Sequence, residues 1–318
     1  MRGRYLYTVG VVLLGGVLLL GAFGGNTGDK IKRIAGVGKF KPASVEEVLV
    51  TIPGMQGEKK LLYLSDLHII VESNQIAAEK VDEVRGRIGW SSYNGMSAAE
   101  AWPKWVKYVN HAKPDAVLLG GDMVDFGSEA NVACLKKSLN KMEYPWMYIR
   151  ADHDEEPYYL DKENVSYEMT KGYQDSIVPN DEVMSIEYED FLVVGWNNST
   201  SALSENALEE MRRLFSAGKP IILLTHVPVK SLLDCSLAQR SRDAWGDREL
   251  IWGEDCYYSD ERAMQFLDMI YAEDSPVCEI LCGHLHFTWD GQVTETVHQH
   301  VFGPAMEGCV GVITVSGE

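Results

Sequence analysis

The chain has 318 residues, and its Asp and Glu outnumber Lys and Arg by 47 to 29, which gives a formal net charge of −18. That length allows one large domain or two small ones. The acidic balance argues against nucleic acid as a partner, because phosphate backbones are bound by clustered Lys and Arg.

The first 25 residues predict a signal anchor or a signal peptide. Arg2 and Arg4 precede an almost uncharged apolar stretch, residues 5–23. As a helix this stretch would span about 28 Å, close to the hydrocarbon thickness of a bilayer. Residues 26–45 follow as a basic, Gly-containing tether. A membrane contact through this segment is therefore expected.

The orientation of that segment is open from the sequence. Five basic residues in the tether outnumber the two arginines before the span, which would keep the following domain in the cytoplasm. A short N-terminal tail with a basic head is instead typical of exported chains. We expect the rest of the chain to lie outside the cytoplasm, anchored to the membrane, or secreted if the segment is cleaved.

Residues 46–318 read as a single domain without linkers or repeats. Helical spacing predicts a helix over residues 98–111, and residues 182–188 and 191–196 predict a hairpin. Residues 287–315 alternate as three or four strands that would complete a second sheet. The insertion at 229–259, rich in aromatic and charged residues, predicts either a cap over the functional site or a surface excursion.

Five short segments rich in Asp and His carry the main signal. Most of them follow an apolar run that predicts a buried strand. The carboxyl ends of neighbouring strands meet at one rim of a sheet, where α/β folds bind ligands. Carboxylate oxygens and imidazole nitrogens in this number suit a pair of divalent ions. The segments are Asp66-Leu67-His68, Gly121-Asp122-Met123-Val124-Asp125, Asp152-His153-Asp154, Thr225-His226 and Gly283-His284-Leu285-His286.

This order of segments resembles the calcineurin-like metallophosphoesterases, whose blocks are D-x-H, G-D-x-x-D, G-N-H-D/E, a lone H and G-H-x-H. The resemblance covers residues 59–290 and implies an α/β fold, a two-sheet β-sandwich flanked by helices. Two departures stand out. Asp152 replaces the Asn of the third block, and Phe126 stands where the Ser/Thr protein phosphatases of the family have an Arg, which argues against that branch.

The resemblance also implies a ligand set for two divalent ions, which could be Mn, Fe, Zn, Co or Ni. Asp66, His68 and His286 would bind the first ion, and Asp122 would bridge both. The second ion would be bound by Asp152, His226 and His284.

The two remaining site residues are assigned to catalysis. By the resemblance, hydroxide activated by the metals would attack phosphorus, and His153 would protonate the leaving group. Asp125 resembles the carboxylate that orients this histidine, with Asp154 as an alternative partner. Asp152 adds a negative charge beside the second ion, which should tighten divalent binding.

The function expected from these residues is a metal-dependent phosphoesterase, with a phosphodiesterase favoured. Its substrate would be a small or lipid-linked phosphomonoester, phosphodiester or pyrophosphate, and the predicted anchor favours an envelope substrate. The alternative is a non-catalytic metal-binding protein of the same fold. That alternative predicts loss of ligands or of His153, and all of these residues are present.

Overall fold

Two six-stranded sheets form the scaffold. The computed structural model describes residues 10–12, 40–178, 182–199, 203–253 and 260–317. The strands within these ranges are β1 (Gly10–Val12), β2 (Ser44–Thr51), β3 (Glu58–Leu64), β4 (Ser92–Tyr93), β5 (Met96–Ser97), β6 (Ala116–Leu119), β7 (Trp146–Tyr148), β8 (Val183–Glu187), β9 (Leu192–Trp196), β10 (Ile221–Thr225), β11 (Val277–Cys282), β12 (Trp289–Gln292), β13 (His298–Val301) and β14 (Cys309–Ser316).

The helices lie between the strands. They are α1 (Val81–Trp90), α2 (Ala98–Ala112), α3 (Glu129–Leu139), α4 (Asp152–Glu155), α5 (Tyr167–Asp175), α6 (Glu205–Phe215), α7 (Ser236–Trp245) and α8 (Glu261–Tyr271), with two 3-10 turns at Ala78–Lys80 and Ala305–Glu307. The helix predicted over 98–111 is confirmed as α2, whose N-terminus is fixed by a capping box between Ser97 and Glu100.

The first sheet has the order β1-β2-β14-β3-β6-β7, and the second has the order β12-β13-β11-β10-β9-β8. Strands β3, β6 and β7 run parallel, as do β9, β10, β11 and β13. Parallel strands place their carboxyl ends at the same edge. The predicted hairpin is confirmed as β8 and β9.

Apolar residues alternate between two cores along the buried strands. Leu61 and Tyr63 pack between the sheets, together with Ile222 and Leu224, while Leu62 faces the helical layer formed by α2 and α3. On the second sheet the outer core is closed by α6 and α8. Burial on both faces explains why these strands read as continuous apolar runs. The predicted two-sheet sandwich flanked by helices is confirmed.

One strand assignment from the sequence is wrong. The late strand β14 was expected in the second sheet, but it lies in the first sheet between β2 and β3. Only β12 and β13 of this region join the second sheet. Alternation predicts a strand and its buried face, and it does not specify the neighbouring strand.

The predicted membrane segment lies outside the described residues except for Gly10–Val12, which form β1 and pair antiparallel with β2. Within the described ranges, no helix has the length and apolar character needed to cross a bilayer.

Candidate metal centre

Loops that follow β3, β6 and β7 of the first sheet and β10 and β11 of the second bring the Asp and His segments together. Their backbones are joined by hydrogen bonds: Asp66 N donates to Gly121 O at 3.0 Å, and His68 N donates to Asp122 O at 3.0 Å. Gly283 N donates to His226 O at 3.1 Å. The predicted ligands thus lie at one shared edge of the two sheets.

The backbone at this edge is strained. Five of the predicted ligands have φ between 50° and 68°, the left-handed region that side-chain-bearing residues seldom adopt. These ligands are Asp66, His68, Asp122, His284 and His286. Gly121, before Asp122, has φ of 92°, and a Cβ there would lie 2.8 Å from His226 Nδ1. The sheets must stabilise these conformations, which aim the ligands inward.

The first cluster consists of Asp66, His68 and His286, whose ligand atoms all lie within 4.8 Å of one another. His286 Nε2 is 3.3 Å from Asp66 Oδ1, and it is also 3.3 Å from His68 Nε2. Ser65 Oγ donates to Asp66 Oδ2 at 2.5 Å, and His284 N also donates to the Asp66 carboxylate. This is the set predicted for the first ion.

The second cluster consists of Asp122, His226 and His284. Asp122 Oδ2 is 3.2 Å from His226 Nε2 and 3.7 Å from His68 Nε2. The same oxygen therefore reaches both clusters, as the predicted bridging role requires. His284 Nδ1 is 3.2 Å from His226 Nε2. His226 Nδ1 donates to Gly120 O at 2.8 Å, which turns Nε2 toward the cluster.

Asp152 lies at the start of α4 and belongs to neither cluster. Its Oδ2 accepts a hydrogen bond from the Tyr158 hydroxyl at 2.7 Å. Its Oδ1 is buried without a hydrogen-bond partner among the described residues. The Asp152 charge contributes to raising the pKa of His226 and that of His153.

The residues present fit two divalent ions. Besides Asp152 Oδ1, Asp122 Oδ1 is buried without a hydrogen-bond partner in the described part of the chain, and such atoms cost free energy unless they coordinate something. Two pairs of imidazole nitrogens face each other at 3.2–3.3 Å. Carboxylate and imidazole ligands of this kind suit transition metals.

The charges of the second cluster support the same interpretation. Burial lowers the pKa of His226, but the Asp122 carboxylate outweighs it and raises that pKa to about 10. Burial, together with the neighbouring His226, lowers the pKa of His284 to about 3. Positive charge in the pair is therefore favoured on His226 and disfavoured on His284. A divalent ion would take the place of the proton on His226, because imidazole binds metals in its neutral form.

Asp125 supports the first cluster. Its Oδ1 accepts a hydrogen bond from His68 Nδ1 at 2.8 Å, and both oxygens accept from the Arg87 guanidinium. Burial raises the pKa of Asp125, but the bonds from Arg87 and His68 outweigh it and lower that pKa to about 2. A carboxylate on the far nitrogen of a metal-binding histidine fixes the tautomer and the ring orientation.

His153 lies beside the clusters, with its ring centroid 4.9 Å from that of His68. Its Nδ1 donates to the backbone carbonyl of Asp125 at 2.8 Å, while the Asp125 carboxylate is 3.8 Å away. Burial lowers the pKa of His153, but Asp122, Asp152 and Asp125 outweigh it and raise that pKa. The hydrogen-bond partner of His153 is therefore the main-chain carbonyl of Asp125, and not the carboxylate to which the sequence assigned the orienting role.

Two residues outside the predicted ligand set build the loops of the site: Asp154, which the sequence offered only as an alternative partner of His153, and Asn198. The fully buried carboxylate of Asp154 accepts from the backbone N–H groups of Asp122, Val124 and Ala151, each at 2.9 Å. Burial and the Asp122 charge raise the pKa of Asp154 to about 7. Asn198 Oδ1 accepts from His226 N and Val227 N. Arg87 was missed from the sequence, because it lies outside the five segments.

Two further histidines are buried away from the clusters. His298 Nδ1 lies 3.0 Å from Glu279 Oε1, and His300 Nε2 lies 3.2 Å from Glu46 Oε2. The first pair joins β13 to its neighbour β11 in the second sheet, and the second pair joins β13 to β2 of the first sheet. Neither histidine was included in the predicted ligand set.

The two clusters offer ligand atoms that could hold divalent metal ions. The family model described as calcineurin-like phosphoesterase matches residues 59–287, most of the chain. The chain belongs to the calcineurin-like phosphoesterase family.

One curated relative is the probable glycerophosphodiester phosphodiesterase GpdQ of Arcobacter nitrofigilis. It is 26% identical over 154 residues, which are 45% of this chain and 53% of that protein. This chain therefore spans about half of the length of that relative.

Solved structures include two distant likenesses. A dimetal phosphatase from Danio rerio has 12% identity and a TM-score of 0.47, with 78% of this chain and 88% of that one covered. The purple acid phosphatase PPD1 from yellow lupin seeds has 11% identity and a TM-score of 0.48, with 80% and 46% covered.

Proposed function

We propose that this protein hydrolyses a small-molecule phosphodiester with two divalent ions bound by seven ligands. The observation that carries the proposal is the Asp122 carboxylate, whose Oδ2 lies between the two clusters of histidines. Ions held by such a bridge would activate a water molecule and neutralise the charge that develops on the phosphoryl oxygens. The ligands are Asp66, His68, Asp122, Asp152, His226, His284 and His286.

The charge of the ligand set favours a diester over a monoester. The carboxylates Asp66, Asp122 and Asp152 supply three negative charges against the four positive charges of two divalent ions, so the loaded site has at most one net positive charge, and none once its water is deprotonated. A phosphodiester carries one negative charge, whereas a monoester carries close to two at neutral pH. Among the described residues, no Lys or Arg forms an ion pair with a residue of the two clusters, and Arg87 is paired with Asp125, which lies behind His68.

Other residues of the site supply the proton for the leaving group and hold the metal ligands in place. His153 donates the proton to the departing alkoxide from Nε2, because its Nδ1 is held by the Asp125 carbonyl. His153 is partly exposed, with 26% of its side chain accessible, so a substrate can reach it. Asp125, with Arg87 behind it, holds His68 in place. Hydrolysis adds water across the P–O bond, and no covalent enzyme intermediate is needed.

The curated relative supports the same substrate class, since its name describes a phosphodiesterase. The second candidate function is a metal-binding protein without catalysis. The complete ligand set, together with the partly exposed His153, favours the enzyme. The net charge of −18 makes long polyanionic nucleic acids poor substrates.

The location of the enzyme is a separate proposal that rests on the sequence alone. We propose that residues 1–25 anchor the chain and that the catalytic domain lies outside the cytoplasm, where envelope or lipid-linked diesters are available. A fusion of residues 1–45 to alkaline phosphatase tests this location. An active reporter in growing cells is expected, and an inactive one would place the domain in the cytoplasm.

Turnover of paired substrates tests the reaction. The purified full-length protein, supplied with Mn²⁺, is assayed on bis(p-nitrophenyl) phosphate and on p-nitrophenyl phosphate. We expect metal-dependent hydrolysis with a higher kcat/KM for the diester, and loss of turnover in His153→Ala. Bound metal without turnover of either substrate would favour the binding protein.

A further inference from the structure

Two tryptophans stand beside the histidines of the first cluster. Trp90, the last residue of α1, has its ring centroid 5.4 Å from that of His68 and 5.6 Å from that of His286. Trp245, the last residue of α7, has its ring centroid 5.5 Å from that of His286, and the two ring planes meet at 74°. These residues come from segments far apart in the chain, and both reach the same metal ligand.

The two rings differ in exposure. Trp245 is half-buried and fixed, because its Nε1 donates to Leu285 O at 3.1 Å. Trp90 is 47% exposed, the largest aromatic surface left open among the described residues. An open indole beside a ligand cluster leaves apolar area available for a bound molecule.

Arg87 connects Trp90 to the residues of the metal site. The Arg87 guanidinium lies 4.9 Å from the Trp90 ring centroid and pairs with Asp125, which in turn accepts from His68 Nδ1. The indole therefore has a fixed relation to the first metal position, as a wall of a substrate site requires.

We propose that Trp90 stacks against a neutral planar group esterified to the scissile phosphate, so that the preferred substrate is a nucleoside or other aryl phosphodiester. This inference rests on the proposed function. Indole rings stack well on planar bases, and each such contact is worth about 1–3 kcal/mol.

The surrounding charges select against a cationic group at this wall. The guanidinium of Arg87 already forms a cation–π contact with Trp90. The first metal would add positive charge next to His286, whose ring also lies beside Trp90. A quaternary ammonium headgroup would meet like charge there. A neutral base would not, and it gains stacking that a glycerol group lacks.

Three diesters distinguish these groups. Thymidine 5′-(methyl phosphate) and glycerol 3-(methyl phosphate) both release methanol, and glycerophosphocholine offers the cation. Full-length Mn²⁺-loaded wild type is compared with Trp90→Phe, Trp90→Leu and Trp90→Ala, and products are separated by chromatography. Leu233→Ala, which shortens a side chain that is 53% exposed, is the control.

We expect Trp90→Ala to raise KM for the thymidine ester by about 5- to 150-fold, the range of one stacking contact, with kcat within about twofold. The glycerol ester should change by less than about twofold, Trp90→Phe should keep most of the effect, and Trp90→Leu should not. Metal content, measured by elemental analysis, should stay at the wild-type level. Equal losses on the thymidine and glycerol esters, or a selective loss on glycerophosphocholine, would overturn the inference.

The failure of the inference and that of the proposed function give different results. If the wild type hydrolyses no diester, the function fails, and calorimetric binding of thymidine 5′-monophosphate to the metal-loaded protein still tests Trp90. Weaker binding of thymidine 5′-monophosphate to Trp90→Ala, with unchanged binding of glycerol 3-phosphate, would support stacking on Trp90. Binding that is unchanged in Trp90→Ala would refute it.

Discussion

The Asp125 carboxylate accepts a hydrogen bond from His68 Nδ1 at 2.8 Å, and the same His68 ring directs Nε2 toward His286 and Asp122. The Nδ1 atom of His68 is therefore held by a carboxylate, and its Nε2 atom is available for a metal ion. Arg87 neutralises that carboxylate from the opposite side. We expect the metal affinity of the proposed first site to depend on this chain of contacts.

Replacing Asp125 should weaken the first metal site. Asp125→Asn removes the charge that orients His68, and supporting changes of this kind cost about 10- to 100-fold in metal affinity. Competition with a chelator of known affinity measures the loss. Asp115→Asn is the matched control, since Asp115 pairs with Lys59 just before β6, at the opposite end of the strand from the ligands. An unchanged affinity in Asp125→Asn would show that His68 needs no such support.

Removing the imidazole of His153 should affect the chemical step and leave the metals bound. We expect His153→Ala to lower kcat on the diester by about 10²- to 10⁴-fold, the usual worth of general acid help. Elemental analysis should find the wild-type metal content. A loss of metal in step with the loss of activity would make His153 a ligand instead of the proton donor.

Neutralising Asp152 should shift the substrate preference. Asp152→Asn adds one positive charge to the metal-loaded site, so kcat/KM for the monoester should rise relative to that for the diester. The variant should remain folded, metal-loaded and active. Tyr158→Phe is the matched control, because it removes the hydrogen bond to Asp152 but leaves the charge. A ratio that shifts equally in both variants would rule out charge as the cause.

The buried Glu279–His298 pair should give the chain a pH-dependent stability outside the metal site. Burial lowers the pKa of His298, but Glu279 outweighs it and raises that pKa. A raised histidine pKa contributes stability that is fully present below the unfolded value near 6.5 and is lost as pH rises through the folded value.

Urea unfolding of the chelated protein at several pH values from 6 to 9 measures this contribution. The free energy of unfolding should fall with rising pH more steeply in the wild type than in His298→Gln. At pH 6, His298→Gln should lower the free energy of unfolding, because it replaces the charged partner of the buried Glu279 carboxylate by a neutral amide. Parallel pH profiles would mean that His298 is neutral in the folded protein.

The sequence predicted the scaffold where local patterns decide it. Apolar runs before Asp66, Asp122 and His226 identified the buried strands, and the two metal clusters contain six of the seven predicted ligands. The partner of β14 was missed because alternation carries no information about the neighbouring strand. Pairing over long separations depends on the whole fold.

The supporting residues could not be found in the same way. Arg87 is 38 residues from Asp125 in the chain, and Asp154 acts through backbone amides that no residue pattern reveals. The positive φ values at five ligands depend on the loops, since Asp and His adopt the left-handed region more often than most residues but still seldom. Such features follow from tertiary packing.

A metal titration tests the central claim most directly. The full-length protein is stripped by a chelator, Mn²⁺ is returned in measured equivalents, and bound metal and diester turnover are followed together. The account predicts that activity returns only as occupancy approaches two ions per chain, and that His153→Ala reaches the same occupancy without turnover. Full activity at one ion per chain, or two bound ions without hydrolysis of any phosphodiester, would contradict it.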